Sequence, residues 1–227
     1  MDKNTKTEFS DTMNDKRTDS ASEKYDDNIN TAYDDAFHTM LLYCKSLVIP
    51  VLNEGFQQIF SGIEEVVPGE NRIYIRRQGG KEEKRITDAS FAVVSASNVK
   101  SRFHVECQSR PDNSMLVRMF EYDSQIVLQN GILIEDTLEV EFPNSAVLNL
   151  SSKGKKRKKL KIVIKTPGGA VSYEIPVLNV QDYDLDTIFE KGLYFLLPFY
   201  IFRYEDEFDS ISNNPDKVEE LKVYMLI

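Results

Sequence analysis

The spacing of apolar residues changes period part-way along the chain, and that change confines the fold to one that mixes helices with sheet. Between Thr31 and Phe60 the residues Phe37, Met40, Leu41, Cys44, Leu47 and Val48 recur at steps of three and four, the repeat of a helix with one buried face. From Arg72 the repeat falls to two. Ile73 and Ile75, then Ile86, Phe91 and Val93, flank Gln78-Gly79-Gly80-Lys81, which reads as a β-hairpin. Ser101 to Ser109 sets Phe103, Val105 and Cys107 on one face against Arg102, His104, Glu106 and Gln108 on the other, a strand with one buried face.

The helical period returns from Pro111 to about Asn130, with Met115, Met119, Tyr122, Ile126 and Leu128 on the pattern and Gly131 as the stop. Further strands are expected around Ala146–Leu150, Leu160–Thr166 and Val171–Leu178, the last two joined at Pro167-Gly168-Gly169. Two prolines shape the helices. Pro50 predicts a break near Ile49 and a second short helix from Pro50 to about Phe60. Leu185 to Tyr204 reads as one buried helix containing Pro198, and Asn213-Asn214-Pro215-Asp216 opens another. Helix, strands, helix, strands and helix in this order predict an α/β sandwich around a mixed sheet.

The 227 residues, 41% of them hydrophobic, provide for one sizeable core or two small ones. A net charge of −9 argues at first against a nucleic-acid partner. Its location removes the objection. Residues 1–30, read as a disordered polar tail, contribute −3, and Glu205 to Glu220 contribute −6. The intervening domain, 31–204, is therefore close to neutral, and 205–227 is an acidic segment whose abrupt apolar ending reads as a shortened chain. Cys44 and Cys107 are too few for a disulfide framework and lie in no zinc-ligand spacing, so a reduced cytoplasmic setting is expected. The longest uncharged apolar run, Gly192 to Phe202, holds Pro198 and is far short of the ~20 residues that span a bilayer. No membrane partner is expected.

Asp88, Glu106 and Gln108 are the candidates for chemistry. Glu106 and Gln108 share a strand face, and pairing with the strand after Asp88 would bring two carboxylates together, the oxygen donors that Mg²⁺ prefers. A Mg²⁺ ion there could activate water against a phosphodiester. Spacing alone favours the plainer reading, in which Asp88 ends a hairpin and the polar strand face meets solvent.

Ile86-Thr87-Asp88-Ala89-Ser90-Phe91 followed by Phe103-His104-Val105-Glu106-Cys107-Gln108-Ser109 resembles the Asp…Glu-x-Lys/Gln core of the PD-(D/E)xK nuclease superfamily. More narrowly, it resembles that superfamily's recombination-promoting nuclease and transposase branch. Tyr33-Asp34-Asp35-Ala36-Phe37, Leu52-Asn53-Glu54-Gly55-Phe56, Arg118-Met119-Phe120-Glu121-Tyr122 and Leu193-Tyr194-Phe195-Leu196-Leu197-Pro198-Phe199-Tyr200 agree with the same branch, so the likeness covers about Tyr33 to Tyr204. It implies a restriction-endonuclease-like αβββαβ core, with a mixed central sheet flanked by helices, extra strands and a C-terminal helix. Asp88 and Glu106 would be metal carboxylates, Cys107 would lend its backbone carbonyl, and Gln108 would hold the Lys/Gln position. Mg²⁺ is the implied cofactor, with Mn²⁺ as a substitute. Glutamine can orient water but brings no positive charge. Glu54 is a further candidate acid, since a first-helix glutamate reaches the metal in some relatives. Asp34 reads as a helix cap.

Arg118 and Tyr122, four apart on one helical face, could meet the scissile phosphate or brace the site. His38 and His104 stand in no nucleophile pattern and read as surface or helix-edge residues, although His104 shares the face of Glu106 and could tune it. Lys153, Lys155, Lys156, Arg157, Lys158, Lys159 and Lys161 place seven cations within nine residues. They are a candidate DNA-backbone contact or a solvated guard on an edge strand. The expected function is a Mg²⁺-dependent DNA endonuclease whose partner is DNA, and whether it nicks or cuts both strands would depend on formation of a homodimer. The alternative is an inactive domain of the same fold that binds DNA or protein.

Overall fold

The structure is a computed structural model described over residues 36–69, 72–76, 82–86, 89–109, 113–150, 156–207 and 211–226. Asp34, Asp88, Lys153, Lys155 and the tail 1–30 lie outside the described residues. The centre is a mixed sheet of six strands: β1 (Glu65–Pro68), β4 (Ala89–Val94), β5 (Lys100–Gln108), β8 (Asn144–Asn149), β10 (Gly169–Asn179) and β9 (Lys159–Thr166), in that spatial order. β4 runs antiparallel to its neighbours β1 and β5, the strands β5, β8 and β10 run parallel, and β9 returns antiparallel at the edge. Two hairpins stand apart from it, β2 (Arg72–Arg76) with β3 (Glu82–Ile86) and β6 (Ile132–Ile134) with β7 (Thr137–Glu139). The residues expected to form one hairpin over 73–93 thus divide between β2–β3 and the central strand β4.

One face of the sheet carries the main core. Phe91, Phe103, Val105, Cys107, Leu148 and Leu178 meet helices α1 (Ala36–Tyr43) and α2 (Val48–Phe56) and the 3-10 segment Tyr194–Glu207. Phe37 packs edge-on to Phe195 at 5.5 Å, and Phe103 is ringed by Phe56, Phe60 and Phe91. The other face is covered by α3 (Met115–Asn130), whose Met115 and Met119 lie on Val147, Leu160 and Ile175. Helices therefore flank both faces.

Four helix boundaries differ from the sequence expectation, the first being that of α3, which begins at Met115 and not at Pro111. The break falls at Cys44 to Leu47, not at Ile49, because Pro50 is the third residue of α2, where the backbone N–H has no intrahelical acceptor to lose. α2 stops at Phe56 instead of Phe60. Gln57 turns left-handed at φ 53°, and the Asn53 amide grips Phe60 at both its N–H and its carbonyl, 2.9 Å each. The apolar stretch 185–204 is two elements, α4 (Leu185–Glu190) and the 3-10 segment, separated at Gly192 (φ 66°). Finally, α5 (Pro215–Met225), capped by Asn214, returns to the core through Leu221 and Tyr224. Among the described residues no single helix is long and apolar enough to cross a membrane.

Candidate active site

Strand β5 places His104, Glu106 and Gln108 on the face that α3 covers, in register with Ser145, Val147 and Asn149 of β8. This polar face does not meet solvent. His104 is fully buried and Glu106 is 2% exposed, which corrects both the solvated-face reading and the surface assignment of His104. The reason is α3, which lays the buried carboxylate of Asp123 over the strand.

A continuous polar chain results. Nε2 of His104 lies 3.1 Å from Oε1 of Glu106, and Nδ1 lies 2.7 Å from Oδ1 of Asp123. Both acceptors are carboxylate oxygens, so both ring nitrogens donate and the ring is an imidazolium. Burial alone would lower its pKa. The hydrogen bonds and charges of Asp123 and Glu106 outweigh that and raise it from the ordinary 6.5 to about 9. Ser145 donates to Oδ1 of Asp123 at 2.6 Å and the Tyr173 hydroxyl to Oδ2 at 3.0 Å. Burial and the Asp123 charge push the Tyr173 phenol well above its usual range. At the other end, Nη2 of Arg118 stands 3.8 Å from Oε2 of Glu106. Two cations thus face two anions, the balance a buried ionic group requires. Ser145 spends its hydroxyl on Asp123, not on the imidazole, so these residues do not form a nucleophile and base pair.

The expected site residues divide. Glu106 and Arg118 come together, and Tyr122, 5% exposed, packs edge-on to His104 at 5.8 Å. Gln108 ends β5, where its carbonyl accepts from Leu150 at 2.8 Å toward β8. Strand carbonyls alternate in direction, so that of Cys107 is directed to the β4 side, while its side chain is in the core. Glu54 does not join this group. Its helix packs on the opposite face of the sheet, and its carboxylate is held by Lys191 at 2.8 Å and the Tyr183 hydroxyl at 3.4 Å. Among the described residues no three His, Cys, Asp or Glu side chains form a group that could hold a metal ion. A hollow of about 360 Å³ on this face, lined by Ser90, Arg102, Ile126 and Gln129, lies toward the start of β5.

Lys156, Arg157, Lys158 and Lys159 are exposed at the approach to β9. Asp123, Ser145 and Tyr173 stand in no motif of the sequence. The one signal for Asp123 is its place as an acid on the apolar stripe of α3, midway between Met119 and Val127.

No protein-family model matches the sequence, and neither the curated proteins nor the solved structures compared with it contain a match.

Proposed function

We propose that the chain is a metal-dependent DNA endonuclease with a restriction-endonuclease-like core. The observation that carries this reading is connectivity: α2, the antiparallel strands β1, β4 and β5, then α3 and the parallel strand β8 follow as helix, three strands, helix, strand. The β2–β3 and β6–β7 hairpins are insertions in that order. Glu106 and Gln108 lie at the end of β5, the third strand in that order.

Asp88, Glu106 and the Cys107 carbonyl would hold Mg²⁺, or Mn²⁺ in its place, and the ion would supply a Lewis acid to a phosphodiester. The chain's own residues would do the rest. His104, fixed by Asp123, would keep one oxygen of Glu106 aimed, and Arg118, 3.8 Å from the other, would meet a substrate phosphate. The Gln108 amide would orient the attacking water by hydrogen bonding.

A second reading is an inactive domain that binds DNA or protein. It is favoured by Glu106 already facing two cations and by the uncharged Gln108. Plasmid nicking with and without Mg²⁺ separates the two. The proposal expects Mg²⁺-dependent nicking that Asp88→Ala and Glu106→Ala each abolish. Nicking that survives both substitutions would overturn this site, and salt-sensitive DNA binding without cleavage would establish the second reading.

A further inference from the structure

We propose that Arg157 and Lys158, and not the flanking Lys156 and Lys159, are the cations that grip a nucleic-acid backbone at the carboxyl edge of the sheet beside β10, with Asn179 as the residue that positions them. The identity of the anion rests on the nuclease reading; the division among the cations rests on their contacts.

β5, β8 and β10 run parallel and end together, with Gln108, Asn149 and Asn179 in register. Residues in register point to the same face, so three amide side chains form a row across the carboxyl edge of the sheet, about 4.8 Å apart from strand to strand. The row is bonded into the basic segment. Nδ2 of Asn149 donates to Oδ1 of Asn179 at 2.9 Å, and Nδ2 of Asn179 donates to the Arg157 carbonyl at 3.0 Å. Asn179 is 3% exposed, so water does not compete for that bond. The next carbonyl, of Lys158, accepts from the Val177 N–H at 2.9 Å. Two successive residues are therefore fastened to β10 by their backbone while their side chains stand in solvent.

Their neighbours are already engaged. Nζ of Lys156 lies 2.8 Å from Asp182, and Nζ of Lys159 lies 2.8 Å from Glu174, whose carboxyl that lysine holds below its usual range. Among the described residues no acid pairs with Arg157 or Lys158. A phosphate approaching Lys156 or Lys159 must displace a carboxylate, whereas one approaching Arg157 or Lys158 displaces only water and counterions. The uncompensated pair, at the start of β9, stands three strand spacings, roughly 14 Å, from Gln108, at the edge where open α/β sheets bind their ligands.

The test uses the full chain, a fluorescein-labelled 20-base-pair DNA duplex and EDTA, with affinity read by anisotropy from 50 to 200 mM salt. Each phosphate contact contributes about 0.9 to the slope of log affinity against log salt. Arg157→Ala with Lys158→Ala should lower the slope by about 1.8, and Lys156→Ala with Lys159→Ala should leave it unchanged. Asn179→Ala should speed trypsin cutting after Arg157 and Lys158 several-fold while cutting elsewhere keeps its rate. Equal slope losses in the two double variants, or cutting in Asn179→Ala that rises everywhere alike, would overturn the proposal. Cleavage is scored separately in Mg²⁺. The predicted division without cleavage supports this inference and removes the nuclease reading; cleavage with equal slope losses does the reverse. A wild-type chain that does not bind the duplex overturns both.

Discussion

Both ring nitrogens of His104 face carboxylates inside the protein, and its charge is therefore tied to folding. Because the folded pKa is raised to about 9 from 6.5, the contribution is fully present below pH 6.5 and is lost as pH rises through 9. Metal-free protein should lose thermal stability over that window, and the His104 imidazole, followed by NMR, should titrate near 9; a midpoint near 6.5 would show that the buried pairing is absent in solution. Asp123 is the more consequential partner, since its two oxygens serve His104, Ser145 and Tyr173 together. Asp123→Ala leaves a buried imidazolium short of one anion, and urea unfolding should report a loss of about 3–5 kcal/mol. A loss under 1 kcal/mol would mean that water or another side chain takes over. None of this could be read from the strand alone. The alternation of Ser101 to Ser109 shows which side chains share a face, but whether that face is wet depends on Asp123, nineteen residues away, and on how α3 crosses the sheet.

At the scale of elements, legibility followed length and local chemistry. β5, β8, β9 and β10 carry enough alternation or turn chemistry to be read, and Asn214 followed by Pro215 is by itself a helix-start signal for α5. β1, of four residues, and the three-residue strands β6 and β7 are too short for a period to register. The break after α1 is invisible for a different reason: the three-and-four spacing runs through it, while Pro50 draws attention to a position that α2 accommodates. Gly192 is the clearest missed boundary. Leu193 donates to Ile188 at 2.8 Å and Gly192 to Phe189 at 3.3 Å across a glycine at φ 66°, the Schellman closure of α4. Gly192→Ala should therefore cost about 1–2 kcal/mol in urea denaturation, and a neutral substitution would contradict the left-handed closure. A glycine stop at that position is the signal that divides the run from Leu185 to Tyr204, and the unbroken hydrophobicity on either side of it masks the signal.

For the whole molecule, charge is sorted by place. The tail and the 205–220 stretch account for the net −9, while the carboxyl edge of β5, β8 and β10 gathers the amide row and two uncompensated cations. The fold class was legible because the change of period is a property of long segments. The candidate site was legible only in part: Glu106 and Arg118 meet, Tyr122 packs on His104, Glu54 lies across the sheet, and the Asp123 chain beside Glu106 depends on three distant elements. The proposed activity requires Glu106 and the Cys107 carbonyl to help hold the ion of a nuclease site, and anomalous diffraction from crystals soaked in Mn²⁺ reads that directly. A peak is expected at about 2.0–2.2 Å from a Glu106 oxygen and from the Cys107 carbonyl, with Arg118 drawn away; no peak there, with Arg118 still beside Oε2, would refute the metal site.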